Sequence, residues 1–240
     1  MNSDRRLARV AGVLFILATV ASLLGSALTG PILGAPDYLA GISSSRGQVT
    51  LGALLSFVAA LASASIAISL YPVLKKHNEG LALGAVGFRL IEGVFYIVSA
   101  TGLLSLVTLS QEFVRAGAPS ASYFQTLGTL IQATRDWAGF GLAVIAFCLG
   151  ALMYYFVFYQ SRLIPQWLSG WGAIGAVLLL SVVLWNMFGE GPVSISGTSL
   201  LLVLPIFLQE MVLAVWLIVK GFNSSAIPSE SAKPYQGSRS

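Results

Sequence analysis

The sequence predicts an all-α fold, a polytopic membrane helical bundle of six transmembrane helices with both termini cytoplasmic. Three observations carry this expectation. Of 240 residues, 56% are hydrophobic and only 9% charged, against about a quarter charged in an average soluble domain. Six apolar stretches reach the length of about 20 residues that crosses a hydrocarbon core of roughly 30 Å. Lys and Arg then fall mostly on one side of the resulting threading.

The spans are approximately 8–30, 49–73, 81–110, 136–159, 167–189 and 198–220. In the first, the apolar run from Val10 to Leu28 exceeds the usual signal-peptide core of about 7–15 residues. It is expected to stay as a span, although Gly25-Ser26-Ala27 would suit a cleavage site. The third is longer than a crossing requires, so it should tilt or project. Between the third and fourth spans, Gly117, Ala118 and Pro119 break the chain, and Ser120 or Ser122 can cap a short connector helix. Tyr123, Phe124, Leu127, Leu130 and Ile131 recur at helical spacing and give that helix one apolar face.

Asp136 opens the fourth span and suits the positive end of its dipole. Arg135 is its sequence neighbour, and adjacent helix positions do not face each other. Near the end of the fifth span, Trp185 fits an interfacial aromatic belt, with Asn186 and Glu190 at the interface. Small residues at four-residue spacing, Ala18, Ser22 and Ser26 in the first span and Ser56, Ala60 and Ala64 in the second, suit close helix packing. The transmembrane domain is expected over residues 1–222. From 223 to 240 the chain is polar, cannot form a core and is expected to be a disordered cytoplasmic tail. Asn223-Ser224-Ser225 there is a chance sequon.

Arg5, Arg6, Arg9, Lys75, Lys76, Arg162, Lys220, Lys233 and Arg239 fall on one side, and only Arg46, Arg115 and Arg135 on the other. The richer side is the cytoplasmic one. The formal charge of +4 is scattered over helix ends, which argues for lipid anchors and against a nucleic-acid partner. The expected partner is the bilayer itself.

Much chemistry is excluded. The single cysteine, Cys148, lies mid-span, so no intrachain disulfide can form. The lone histidine, His77, sits in a short polar loop, which leaves no paired-histidine haem and no His-based zinc site. No phosphate-binding loop or dinucleotide fingerprint occurs. No catalytic residue, metal ligand or cofactor site is assigned.

What remains is a polar centre. Arg89, Glu92, Tyr96 and Ser99 fall at i, i+3, i+7 and i+10 of the third span and share a face. Glu210 lies in the sixth. At 1.5 Å per residue, Arg89 is about 12 Å, Glu92 about 16 Å and Glu210 about 15 Å from the cytoplasmic edge. Gln209 adds a polar group on a different azimuth. Pro205 removes a backbone donor and is expected to kink the sixth span, freeing the Leu201 carbonyl. One guanidinium facing two carboxylates leaves a charge that a proton or a cation must balance. Buried ionisable groups of this kind mark transport pathways and also serve as static clamps between helices.

Four segments stand out in order: Ala8-Arg9-Val10-Ala11-Gly12-Val13-Leu14, Phe88-Arg89-Leu90-Ile91-Glu92, Arg162-Leu163-Ile164-Pro165 with Leu168 and Gly170, and Gln209-Glu210 through Trp216, Lys220 and Gly221. In this order they resemble a family of bacterial integral membrane proteins known as domain of unknown function 4386. The resemblance runs from about Leu7 to Asn223. Gln209 departs from it, since the family commonly has Gly before this Glu. The resemblance implies a six-span protein of the bacterial inner membrane and no assigned activity. Three functions stay open: movement of a proton or small solute through the Arg/Glu cluster, a non-catalytic membrane subunit or regulator, and an intramembrane enzyme acting on a lipid-like substrate.

Overall fold

The computed structural model describes residues 3–118, 123–189 and 199–227. Among them there is no strand. The helices are α1 (Ser3–Leu33), α2 (Tyr38–Ser44), α3 (Arg46–Leu74), α4 (Glu79–Arg115), α5 (Tyr123–Asp136), α6 (Ala143–Ser161), α7 (Gln166–Met187) and α8 (Ser199–Val219). A π-helical turn, Trp137–Leu142, joins α5 to α6 without a break. Six helical rods are long and apolar enough to cross a membrane: α1, α3, α4, α5 running into α6, α7 and α8. This is the all-α, six-span bundle the sequence predicts.

The six rods form a closed ring. Each packs on the next in chain order, and α8 returns to α1. Glycine makes the close approaches, as expected where lipid offers helices no hydrophobic drive to associate. At Gly12 of α1 a Cβ would lie 2.6 Å from the Ala214 carbonyl oxygen of α8, so only hydrogen lets the ring close there. The first and second spans meet at Gly25 and Gly52, where a Cβ on Gly25 would come within 3.2 Å of the Gly52 carbonyl oxygen. This corrects the row expected on the first span. Ser22 and Ser26 are exposed, and the buried stripe is Ala8, Ala11, Gly12, Phe15, Ala21, Gly25 and Thr29. The glycine, not the serine beside it, sets the azimuth. The second row does lie in an interface, since Gly93 of α4 approaches the Ala60 carbonyl oxygen and the Ala64 side chain.

Outside, large apolar side chains such as Leu54, Leu83, Ile174 and Leu201 are exposed. A helix that is apolar all round needs lipid or protein on every side. Trp185 is also exposed, as an aromatic belt requires.

The region between the third and fourth spans departs from expectation. α4 begins with the Asn78 side chain accepting from the Leu81 N–H at 3.0 Å. It then runs 37 residues to Arg115, roughly 55 Å at 1.5 Å per residue, well beyond the hydrocarbon core. The connector helix α5 is not a separate element but the first part of the fourth rod. Phe124 packs edge-on to Phe113 of α4, with ring centroids 5.9 Å apart, and both meet Leu39 of α2. Leu127 and Leu130 stay exposed. Asp136 is accordingly mid-helix, with φ −72° and ψ −41°, and is no N-cap. It pairs with its neighbour Arg135 at 2.5 Å, because the long guanidinium side chain folds back across one residue. The caps at Ser120 and Ser122, and Glu190, lie outside the described residues.

α8 is uninterrupted across Pro205. After it the chain turns at Gly221, with φ +74°. Phe222, Ala226 and Ile227 pack on the main core, so packed chain continues past the boundary expected at 222. The rest of the tail, 228–240, lies outside the described residues.

Candidate functional site

The polar centre is built from the inward faces of α3, α4, α6 and α8. Arg89 and Glu92 lie one turn apart on α4, and each is 2% exposed. Arg89 Nη1 and Glu92 Oε2 form an ion pair at 3.1 Å. A buried pair of this kind persists only where further partners satisfy its remaining groups. α3 supplies two through one residue, while Arg89 Nη1 and Glu92 Oε2 have no hydrogen bond beyond their ion contact. Ser63 Oγ donates to Glu92 Oε1 at 2.6 Å, and Arg89 Nε donates to the Ser63 carbonyl oxygen at 3.4 Å. On the other side the guanidinium lies over the Phe147 ring of α6, 4.8 Å from its centroid. Contacts of this type are worth about 2 kcal/mol when desolvated. Gly150, one turn along α6, leaves room for the arginine stem.

The pair therefore fastens the third span to the second and fourth. The third and sixth spans, which a static clamp through Arg89 and Glu210 would join, do not pack side by side, because α4 lies between α3 and α6 in the ring. Arg89 makes its ion pair with Glu92, and Glu210 is not within ion-pair distance of it. Glu210 is part-buried, and its Oε1 is enclosed without a hydrogen-bond partner. Tyr96 is part-buried on the Arg89 face, within electrostatic reach of both glutamates. One turn further, Ser99 meets Gly139 in the π-helical turn, where a Cβ would lie 2.7 Å from the serine Oγ. Such turns are rare and recur near functional sites.

Gln209 belongs to a different network. It is fully buried. Its Oε1 accepts from the Tyr155 hydroxyl at 2.5 Å, and its Nε2 donates to the Leu168 carbonyl oxygen at 3.0 Å. It thus ties α8 to α6 and α7, and Gly172 of α7 makes the space, since a Cβ there would overlap the Tyr155 ring and come within 2.8 Å of Gln209 Nε2. Neighbouring positions on a helix point about 100° apart, so Glu210 is left to face the α4 and α6 side.

Sequence reasoning missed Ser63, Phe147, Gly150, Tyr154 and Tyr155. The tyrosine pair carried a signal, because two hydroxyls deep in a span need partners or a purpose. The Tyr154 hydroxyl is enclosed without a hydrogen-bond partner, and its ring lies edge-on to that of Tyr155, 4.6 Å between centroids. Ser63 and Phe147 carried none, being ordinary residues for a membrane helix. Among the described residues there is no group of three or more His, Cys, Asp or Glu side chains able to hold a metal ion.

A family model described as "Domain of unknown function (DUF4386)" matches residues 10–221. The chain belongs to that family. No curated protein and no solved structure matches it.

Proposed function

We propose that this multi-pass membrane protein moves a proton or a small polar solute, or couples to its movement, through the centre formed by Arg89, Glu92 and Glu210. The observation that carries the reading is the Glu210 carboxyl: one oxygen is enclosed without a hydrogen-bond partner, and the buried guanidinium of Arg89 is already engaged by Glu92. An acid in that position exchanges a proton or a cation with little rearrangement of its surroundings, because no hydrogen bond has to break at that oxygen. In this reading both termini face the cytoplasm, and the membrane is the bacterial inner membrane.

The test is flux in proteoliposomes under an imposed pH gradient. Wild-type protein should dissipate the gradient or drive uptake of a small solute. Glu210→Gln should abolish that activity while the protein still folds and reconstitutes. Wild-type vesicles that pass neither protons nor common ions and solutes would overturn the reading.

A second reading has its own support. Arg89 and Glu92 lie on one helix and are held by Ser63 and Phe147, an arrangement that suits a fixed clamp in a non-catalytic subunit or regulator. Recovery of one stoichiometric partner from native membranes would favour it. An intramembrane enzyme using Glu92 and Glu210 as acid and base has no comparable observation behind it.

A further inference from the structure

A groove of about 490 Å³ opens at the end of the bundle that holds the start of α1 and the last turn of α8. One rim is the α6–α7 turn, residues 162–165, and the other is 220–223. Arg162 and Lys220 both line it, with Gln166 and Trp216. Both cations are exposed. Among the described residues neither has a carboxylate within ion-pair distance.

The rims are held in place. Arg162 adopts the left-handed conformation, φ 56° and ψ 27°, as it ends α6. For a non-glycine residue that backbone costs roughly 1–2 kcal/mol. The Asn223 N–H donates to the Leu163 carbonyl oxygen at 2.8 Å, joining one rim to the other, and the Asn223 side chain donates to the Arg162 carbonyl oxygen at 3.5 Å. The Lys220 N–H is fixed to the Trp216 carbonyl oxygen at 2.8 Å. A third cation is close, since a Cβ on Gly221 would lie 3.7 Å from Arg5 Cγ. α7 begins at Gln166 with no side-chain cap, so its positive end also faces this region.

Two cations on fixed rims, neither ion-paired among the described residues, and an indole in the same lining make a receptor for an anion with several oxygen acceptors. At the end of a membrane span the abundant species of that kind is the phospholipid headgroup, and basic pockets between helices at this level suit anionic ones. We propose that this groove binds the phosphate of a phosphate ester, supplied at this depth by the headgroup of an anionic phospholipid. The headgroup phosphate bridges Arg162 and Lys220. Zwitterionic lipid is disfavoured because its own ammonium would meet Arg5, Arg162 and Lys220. The proposal is independent of the polar centre and of any flux through it.

The test is lipid retention by the full-length protein in detergent, read by native mass spectrometry after exposure to equal amounts of phosphatidylglycerol and phosphatidylcholine. Wild-type protein should retain phosphatidylglycerol by about tenfold over phosphatidylcholine. Arg162→Ala/Lys220→Ala should lose that preference, and Arg6→Ala/Lys75→Ala, which removes the same charge elsewhere on this end, should keep it. Equal retention of the two lipids by wild type would overturn the proposal, and this comparison needs no variant. Equal loss in both double variants would overturn it too, since general surface attraction would then explain retention. Inorganic phosphate forms the second arm. If it raises the wild-type melting temperature in an Arg162-dependent way while phosphatidylglycerol is not preferred, the groove takes free phosphate and the lipid assignment fails.

Discussion

Gly150 of α6 lies directly against the side chain of Arg89 on α4. A methyl group at Gly150 would sit 3.2 Å from Arg89 Cγ and 3.3 Å from the Ala85 carbonyl oxygen. The arginine thus reaches Glu92 and Phe147 by running its stem over a residue with no side chain. Gly150→Ala should displace that stem, loosen the contact with Ser63 and destabilise the protein by about 1–3 kcal/mol, the usual cost of overpacking a tight interior. Thermal unfolding in detergent, followed through bound lipid or tryptophan fluorescence, measures it. A variant that melts with wild type would show that α4 and α6 have slack which the geometry denies.

The Arg89–Glu92 pair makes a second, sharper prediction. Glu92→Leu alone leaves a buried guanidinium without its counter-charge, which costs about 3–5 kcal/mol. Arg89→Leu/Glu92→Leu removes both charges and should recover most of that loss, because apolar replacement of a whole buried pair is often neutral or better. Comparing the two melting temperatures separates a role in folding from one in function. If the double variant is stable and also wild-type in every transport assay, the pair is a clamp. A double variant as unstable as the single one would mean that the cost arises from lost packing instead.

Tyr155 and Gln209 form a network separate from Glu210. Tyr155→Phe deletes the donor to Gln209 Oε1 and strands a fully buried carboxamide oxygen, a loss of about 1–3 kcal/mol. Any flux through the polar centre should be unchanged once the variant is reconstituted at matched folded protein. Loss of flux without loss of stability would place Tyr155 in the pathway and merge the two networks.

These contrasts mark what the chain reveals in one dimension. Span existence, number and composition follow from hydropathy, since a 20-residue apolar run has few alternatives in water or lipid. The facing of Arg89 and Glu92 follows from an i, i+3 spacing. The azimuth of Glu210 relative to α4 does not, because it depends on how α8 closes against α1 at Gly12 and against α7 at Gly175, where a Cβ would lie 3.0 Å from Ile206 Cβ. The run from α5 into α6 was equally hidden. Asp136 beside Arg135 reads as a helix start, whereas packing of Phe124 on Phe113, Gly128 on Tyr38 and Arg135 on Gly102 holds α5 in line with the fourth span.

His77 supplies the pH prediction, since it lies outside the spans in the turn between α3 and α4. Burial first, and the neighbouring charge of Lys76 second, push its pKa below the ordinary 6.5. Its Nε2 is enclosed without a hydrogen-bond partner. The folded state therefore favours the neutral ring, while the unfolded chain takes up a proton near the ordinary value. That difference adds stability above pH 6.5. It is lost progressively as pH falls below that point, and the loss levels off beneath the folded-state value. His77→Gln cannot take the proton, so its melting temperature should fall less than that of wild type between about pH 8 and pH 5. Parallel pH profiles for the two proteins would show that the turn opens enough to hydrate the ring, and would remove His77 as a source of acid sensitivity.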